Sequence, residues 1–165
     1  MAGPAAPEVP KGKTVIKNIG LMLSGALEKP VLEADTLVSI DGRIVSFGKE
    51  KDLDTGQADI TIDAHGTALC PGLIDSHVHP VFGDWTPRQN QTNWIDSSMH
   101  GGVTTMISAG EVHLPGRPKD PKGVVALGIT AQRCFSAFPI GGVKMHAGAP
   151  ILEKGMVEED FKELG

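Results

Sequence analysis

Residues 71–80 read PGLIDSHVHP. A Pro-Gly break opens the stretch, an apolar run follows, and two histidines one residue apart close it. Side chains at i and i+2 of a strand point to the same side. His77 and His79 are therefore expected to project together at the C-terminal end of a strand. Neutral imidazoles suit zinc, iron and other borderline divalent metals, which makes this pair the candidate metal ligands. A His-x-His alone in a strand is commonly accidental. Here His113 follows a second apolar run and His146 ends a third, so three successive strands bring histidine to one rim.

Outward towards the C-terminus, Thr86-Pro87 is a cap followed by proline at the first helical turn. The helix it starts is expected to stop at Gly101-Gly102. VTTMISAG (103–110) reads as a buried strand. Asp120-Pro121 repeats the cap-plus-proline signal and opens a helix carrying Val124, Val125, Leu127, Cys134, Phe135 and Phe138. Gly141-Gly142 precedes a third strand, VKMHAG (143–148). A last acidic helix, VEEDFKEL (157–164), has Met156-Val157 where a capping Ser or Thr is expected, so its start is weak. Strand and helix alternate, which implies a parallel sheet with helices packed outside it. About 95 residues hold three such βα units, whereas a closed eight-stranded βα barrel takes about 250. Three units leave a parallel edge strand unpaired.

Outward towards the N-terminus, the pattern is different. TVIKNIGLML (14–23) is apolar and partly alternating. DTLVSIDGRIVSFG (35–48) is two β-rich runs around Asp41-Gly42, a two-residue hairpin signal. ADITIDAHGTALC (58–70) alternates again, with Ile60, Ile62 and Ala64 expected on one face. Residues 14–70 thus form a small β unit and 71–165 an α/β unit. Residues 1–13, MAGPAAPEVPKGK, read as a flexible leader without the hydrophobic core of a signal peptide.

The chain has 165 residues, net charge −5 and 40% hydrophobic content, the composition of a globular protein. The mild acidity gives no electrostatic case for nucleic acid or an anionic membrane. No apolar run approaches the roughly 18 residues of a membrane span. Two cysteines, Cys70 and Cys134, make no disulfide framework and read as reduced core residues. The expected location is the cytoplasm.

The remaining candidates are weighed by position. His113 and His146 either touch metal or substrate or are buried histidines bonded to carbonyls. Arg88 and Arg117, near strand ends, either hold a substrate carboxylate or are ordinary solvated cations, as is Lys119. Asp75 either orients His77 as an acceptor beyond the metal ligands or is a strand-end polar group. Lys144 shares its strand side with His146 and either faces the barrel interior or is paired. His65 reads as a turn residue. His100 sits at a helix C-terminus, where the helix dipole favours a cation.

PGLIDSHVHP resembles the opening signature of the amidohydrolase superfamily, in which the two histidines bind metal at the end of the first barrel strand. HGGVTTMISAG (100–110), HLPGRPKD (113–120) and GGVKMHAGAPILEKG (141–155) extend the resemblance to the enamidase branch of nicotinate fermentation. The resemblance covers roughly Thr14 to Leu164. It implies a small N-terminal β-sandwich followed by the first three βα units of a (β/α)8 TIM-like barrel. It further implies a metal-dependent hydrolase of a cyclic amide or enamide C–N bond, with zinc or iron in a binuclear site once the barrel is complete. In that reading His77 and His79 hold the more buried metal, and His146 and His113 lie near substrate.

The family's bridging carboxylate or carboxylated lysine, its further histidines and its catalytic aspartate map to no position of this sequence. Either the missing barrel half continues the same chain, or a second chain supplies it in an oligomer, or the chain is an assembly module with an incomplete metal site. A dihydroorotase, hydantoinase or deaminase type of substrate is a further alternative.

Overall fold

The computed structural model describes residues 11–79, 91–110, 116–137 and 142–165, the side chains of 91–93 excepted. The chain divides into two compact units, one ending at Pro71 and the other beginning at Gly72.

The first unit contains β1 (Lys13–Lys17), β2 (Leu21–Leu23), β3 (Val31–Leu32), β4 (Thr36–Ile40), β5 (Arg43–Gly48), β6 (Ile60–Asp63) and β7 (Ala68–Leu69). Asp41 (φ 50) and Gly42 (φ 73) turn β4 into β5, with Ile40 opposite Arg43. Positive φ at both central positions is the hairpin turn that Asp-Gly favours, because glycine has no Cβ to clash there. β1 lies between β4, antiparallel to it, and β6, parallel to it, in a sheet ordered β5-β4-β1-β6. A smaller sheet is ordered β3-β2-β7. Ile19, Met22, Ala34 and Leu37 form the buried cluster, with Ile16, Leu32, Ala64 and Leu69 against it. Gly12 and Lys13, assigned to the leader above, are held by the Asp41 and Asp59 carboxylates at 2.8 and 2.7 Å. Ile60 and Ile62 remain about half exposed at 49% and 46%.

The second unit contains β8 (Leu73–Val78), α1 (Gln91–His100), β9 (Val103–Ser108), α2 (Pro121–Ala137), β10 (Lys144–His146) and α3 (Glu158–Leu164). Its three strands are parallel and ordered β10-β9-β8. The fold is therefore α/β with mixed sheets overall. Asp120 caps α2, its carboxylate accepting the Gly123 N–H at 2.9 Å, and Pro121 occupies the first turn, where no N–H is needed. α1 ends at His100, and the Gly102 N–H bonds to the Met99 carbonyl. The α1 start expected at Thr86-Pro87 lies outside the described residues, as do Phe138 and Gly141. At α3 the N-cap is Val157, which offers no side-chain acceptor. Asp160 reaches back instead, its carboxylate accepting the Val157 N–H at 2.8 Å.

One face of the parallel sheet is covered. Val78, Met106, Val143 and Met145 pack there with Ile95 of α1 and Phe135 of α2. On α2 the buried positions are Val124, Val125, Gly128, Ala131 and Phe135, a stripe at helical spacing. The apolar pattern of the helix places Cys134 on that face. It is exposed, because Phe135 takes the core position and its neighbour is turned about 100° away. Cys70 is likewise exposed rather than core. Among the described residues no helix is long and apolar enough to cross a membrane.

Candidate metal centre

The covered face determines what the other face presents. Val78 is buried opposite Ser108, so its neighbour His77 turns to the open side and is exposed. On β9 Met106 is fully buried while Ile107 is 39% exposed. On β10 Met145 is buried, and Lys144 and His146 on either side of it are exposed. His146 pairs with Ile107 across the ladder. The open face thus carries His77, Ile107 and His146 across three neighbouring strands, with Lys144 one step back beside Thr105. Two strand spacings separate the outer pair, about 10 Å of main chain.

His79 follows directly on β8. The His77 and His79 rings have centroids 5.2 Å apart and meet edge to face at 82°. Two imidazoles bound to one tetrahedral ion at nitrogen distances of about 2.0–2.1 Å have centroids roughly 5 Å apart. The two rings fit a shared ion in spacing and in chemistry. Among the described residues no group of three or more His, Cys, Asp or Glu comes together to hold a metal. The described residues thus offer two imidazoles at this point.

Asp75 accepts the main-chain N–H of His77 at 3.0 Å. That bond holds the strand at the point where His77 leaves it and does not reach the imidazole. The Ser108 hydroxyl, buried on the neighbouring strand, donates to the Gly110 carbonyl at 2.8 Å and fixes the turn beyond β9. Arg117 is neither a solvated cation nor an open anion site. Its Nη2 donates to Glu153 Oε1 at 2.7 Å and its Nη1 to the Pro118 carbonyl at 3.0 Å. His113 and Arg88 lie outside the described residues. His65 occupies a turn with φ 49, its main-chain N–H bonded to Asp63. Sequence reasoning missed Glu153, Ile151 and Gly110. A methyl group built on Gly110 would lie 3.5 Å from Ile151 Cγ1 and 4.0 Å from His79 Cε1, so Gly110 and Ile151 lie near His79, whereas Glu153 is bonded to Arg117.

No protein-family model matches the chain. It is 54% identical over 153 residues to enamidase of Eubacterium barkeri, covering 92% of this chain and 39% of that protein. The crystal structure of enamidase, described as a new member of the amidohydrolase superfamily, superposes with a TM-score of 0.84 over 92% of this chain and 40% of its own. Imidazolonepropionase of Paenarthrobacter aurescens (strain TC1) is 39% identical over 98 residues, 58% of this chain and 23% of that protein. The chain spans about two-fifths of the length of enamidase. The resemblance to the amidohydrolase superfamily read from residues 71–80 and the longer segments thus extends over nearly all of this chain, and matches the N-terminal part of such a protein.

Proposed function

We propose that this chain is the N-terminal part of a metal-dependent hydrolase of the amidohydrolase superfamily, acting on a cyclic amide or enamide C–N bond. Residues 14–70 begin a small β-sandwich, and residues 71–165 form the first three βα units of a (β/α)8 barrel. The single observation that carries the reading is the His77–His79 pair at the end of the first parallel strand, on the face that the helices leave open. The pair holds the first of two divalent ions, zinc or iron. Such an ion, when bound, polarises the amide carbonyl and acidifies water.

The chain's own residues then have separate tasks. Asp75 fixes the main chain from which His77 projects. His146 and Lys144, on the same open face, line the substrate side of the site, and His113 and Arg88 are assigned to it from their sequence positions alone. The other ligands and the catalytic carboxylate come from the rest of the barrel, in the same chain or in a partner chain of an oligomer.

Two other readings each have an observation in their favour. The likeness to imidazolonepropionase favours a different cyclic substrate on the same chemistry. The lack of a third metal-binding group among the described residues favours an assembly module with an incomplete site. Native mass spectrometry with elemental analysis on protein from the original host decides between them. One or two divalent metals per complete barrel, lost in His77→Ala/His79→Ala and retained in His100→Ala, supports the hydrolase. Equal metal content in all three proteins sinks the ligand assignment. A metal-free species of this chain alone supports the module.

A further inference from the structure

Strand β8 does not run in one register. Leu73 pairs with Val103 of β9, Ile74 and Asp75 pair with Thr105 and Met106, and Val78 pairs with Ser108. β9 thus carries one extra residue, Thr104, and further along β8 carries one of its own, with Ser76 and His77 opposite Ile107 alone. The two irregularities cancel, and only Ile74-Asp75 is displaced by one position. Burial records the same change of phase. Ile74 and Val78 are four residues apart and would share a face in a regular strand, yet Ile74 is 64% exposed and Val78 only 3%. Each irregularity has its own support. A Cβ on Gly72 would overlap the Thr104 side chain, so glycine leaves the place that the extra residue of β9 fills. Gly72 is not one of the left-handed glycines of the chain, and what it supplies is space. At the second irregularity the Asp75 carboxylate accepts the His77 N–H at 3.0 Å, where a bulge interrupts the ladder.

We infer that residues 72–78 are a register dislocation that turns His77 and His79 to the open face, with Gly72 and Asp75 as the positioning residues that maintain it. Continued from Ile74 and Asp75 in plain alternation, the strand would set Val78 on the open face and both histidines on the covered one. One extra residue reverses that order. Ile95, Met106 and Phe135 fill the covered side, so the apolar Val78 belongs there and two imidazoles do not. Bulges are rare between parallel strands and concentrate next to active sites. The dislocation rests on the proposed metal centre for its functional meaning and on the strand pairing for its existence.

The test uses the full chain without metal. Hydrogen exchange at the His77 amide reads the bulge, and carbethoxylation of histidines, mapped by peptide mass, reads the face. The internal reference is His65 of the first unit, whose side chain is 83% exposed. Asp75→Ala is expected to lose protection at the His77 amide and to lower carbethoxylation of His77 relative to His65. Asp75→Asn, which keeps an acceptor, is expected to restore both. Gly72→Ala, which crowds Thr104, is expected to act in the same direction, and Gly72→Ala with Thr104→Gly to recover, because the side chain in the way is then gone. If Asp75→Ala does not fold, the Gly72 and Thr104 variants carry the test. His77 modified at the parent rate or faster in these variants, with a lowered unfolding midpoint, overturns the inference and leaves Asp75 a strand tie only. Zinc titration of the complete barrel is the second readout, with affinity in Asp75→Ala expected to fall roughly tenfold or more and to return in Asp75→Asn. A turned His77 in a protein that takes up no zinc in any form keeps the dislocation and removes the metal reading. Zinc bound equally in all forms, with His77 unmoved, keeps the metal reading and overturns the dislocation.

Discussion

At the scale of single residues, three carboxylates of the first unit carry a pH dependence. Asp35 accepts the Glu50 N–H, then the Thr36 hydroxyl, with Lys49 nearby, and these hold its pKa below the ordinary carboxylate value. Asp54 is lowered first by the Lys13 ammonium and then by the Gly56 N–H. Asp63 is lowered first by the His65 N–H and then by the Asn18 amide. A carboxyl whose folded pKa lies below its unfolded value of about 3.9 stabilises fully above that value and loses the contribution as pH falls through the folded pKa. The unit should therefore lose stability below about pH 4. Asp35→Asn should flatten that acid limb in urea titrations between pH 3 and 6, and an unchanged limb would show that Asp35 does not contribute to it. In the second unit, Asp75→Ala should lower the urea midpoint by about 0.5–1.5 kcal/mol equivalent with the slope unchanged, while Asp75→Asn, which keeps an acceptor, should spare most of it. Much at this scale was legible beforehand. The His77–His79 juxtaposition follows from strand alternation, and His65 declares its turn by standing before glycine. The pairing of Arg117 with Glu153 was not legible, because it joins residues 36 positions apart and no local pattern encodes such a distance.

At the scale of elements, the boundaries set by local chemistry were the readable ones. Asp41-Gly42, Gly101-Gly102 and Asp120-Pro121 each mark a terminus that depends only on neighbouring backbone. Asp120→Ala should cost about 1 kcal/mol of stability and Asp120→Ser should recover it, since either oxygen serves the orphan N–H groups of α2. The opposite experiment applies to α3, whose start is closed only by Asp160. Val157 is 53% exposed, so Val157→Ser loses little burial and adds a cap, with an expected gain of up to about 1 kcal/mol. A loss on thermal unfolding would mean that the valine packs more than its exposure indicates. Cys134 shows where element-level reading fails. A helix with apolar residues on most sides does not announce which stripe it buries, and only the packing of Phe135 against Met106 and Val143 selects it.

At the scale of the molecule, the uneven covering of the parallel sheet decides behaviour in solution. Helices shield one face, while Leu73, Ile74 and Ile107 leave apolar surface on the strands at 58%, 64% and 39% exposure. Studied alone, the chain should self-associate and unfold over a broad range, visible as concentration-dependent sedimentation. A monomer with one sharp cooperative transition would argue that the three βα units are sufficient by themselves. The strand order carries a further consequence for how the protein is made. β8, β9 and β10 lie side by side in the order in which they leave the ribosome, so β9 and β10 each have a partner waiting when they emerge. In the first unit β1 must wait for β6, more than forty residues later. Synthesis therefore leaves the early sheet pending until β6 emerges, whereas the later one grows by accretion, with its newest strand as the growing edge.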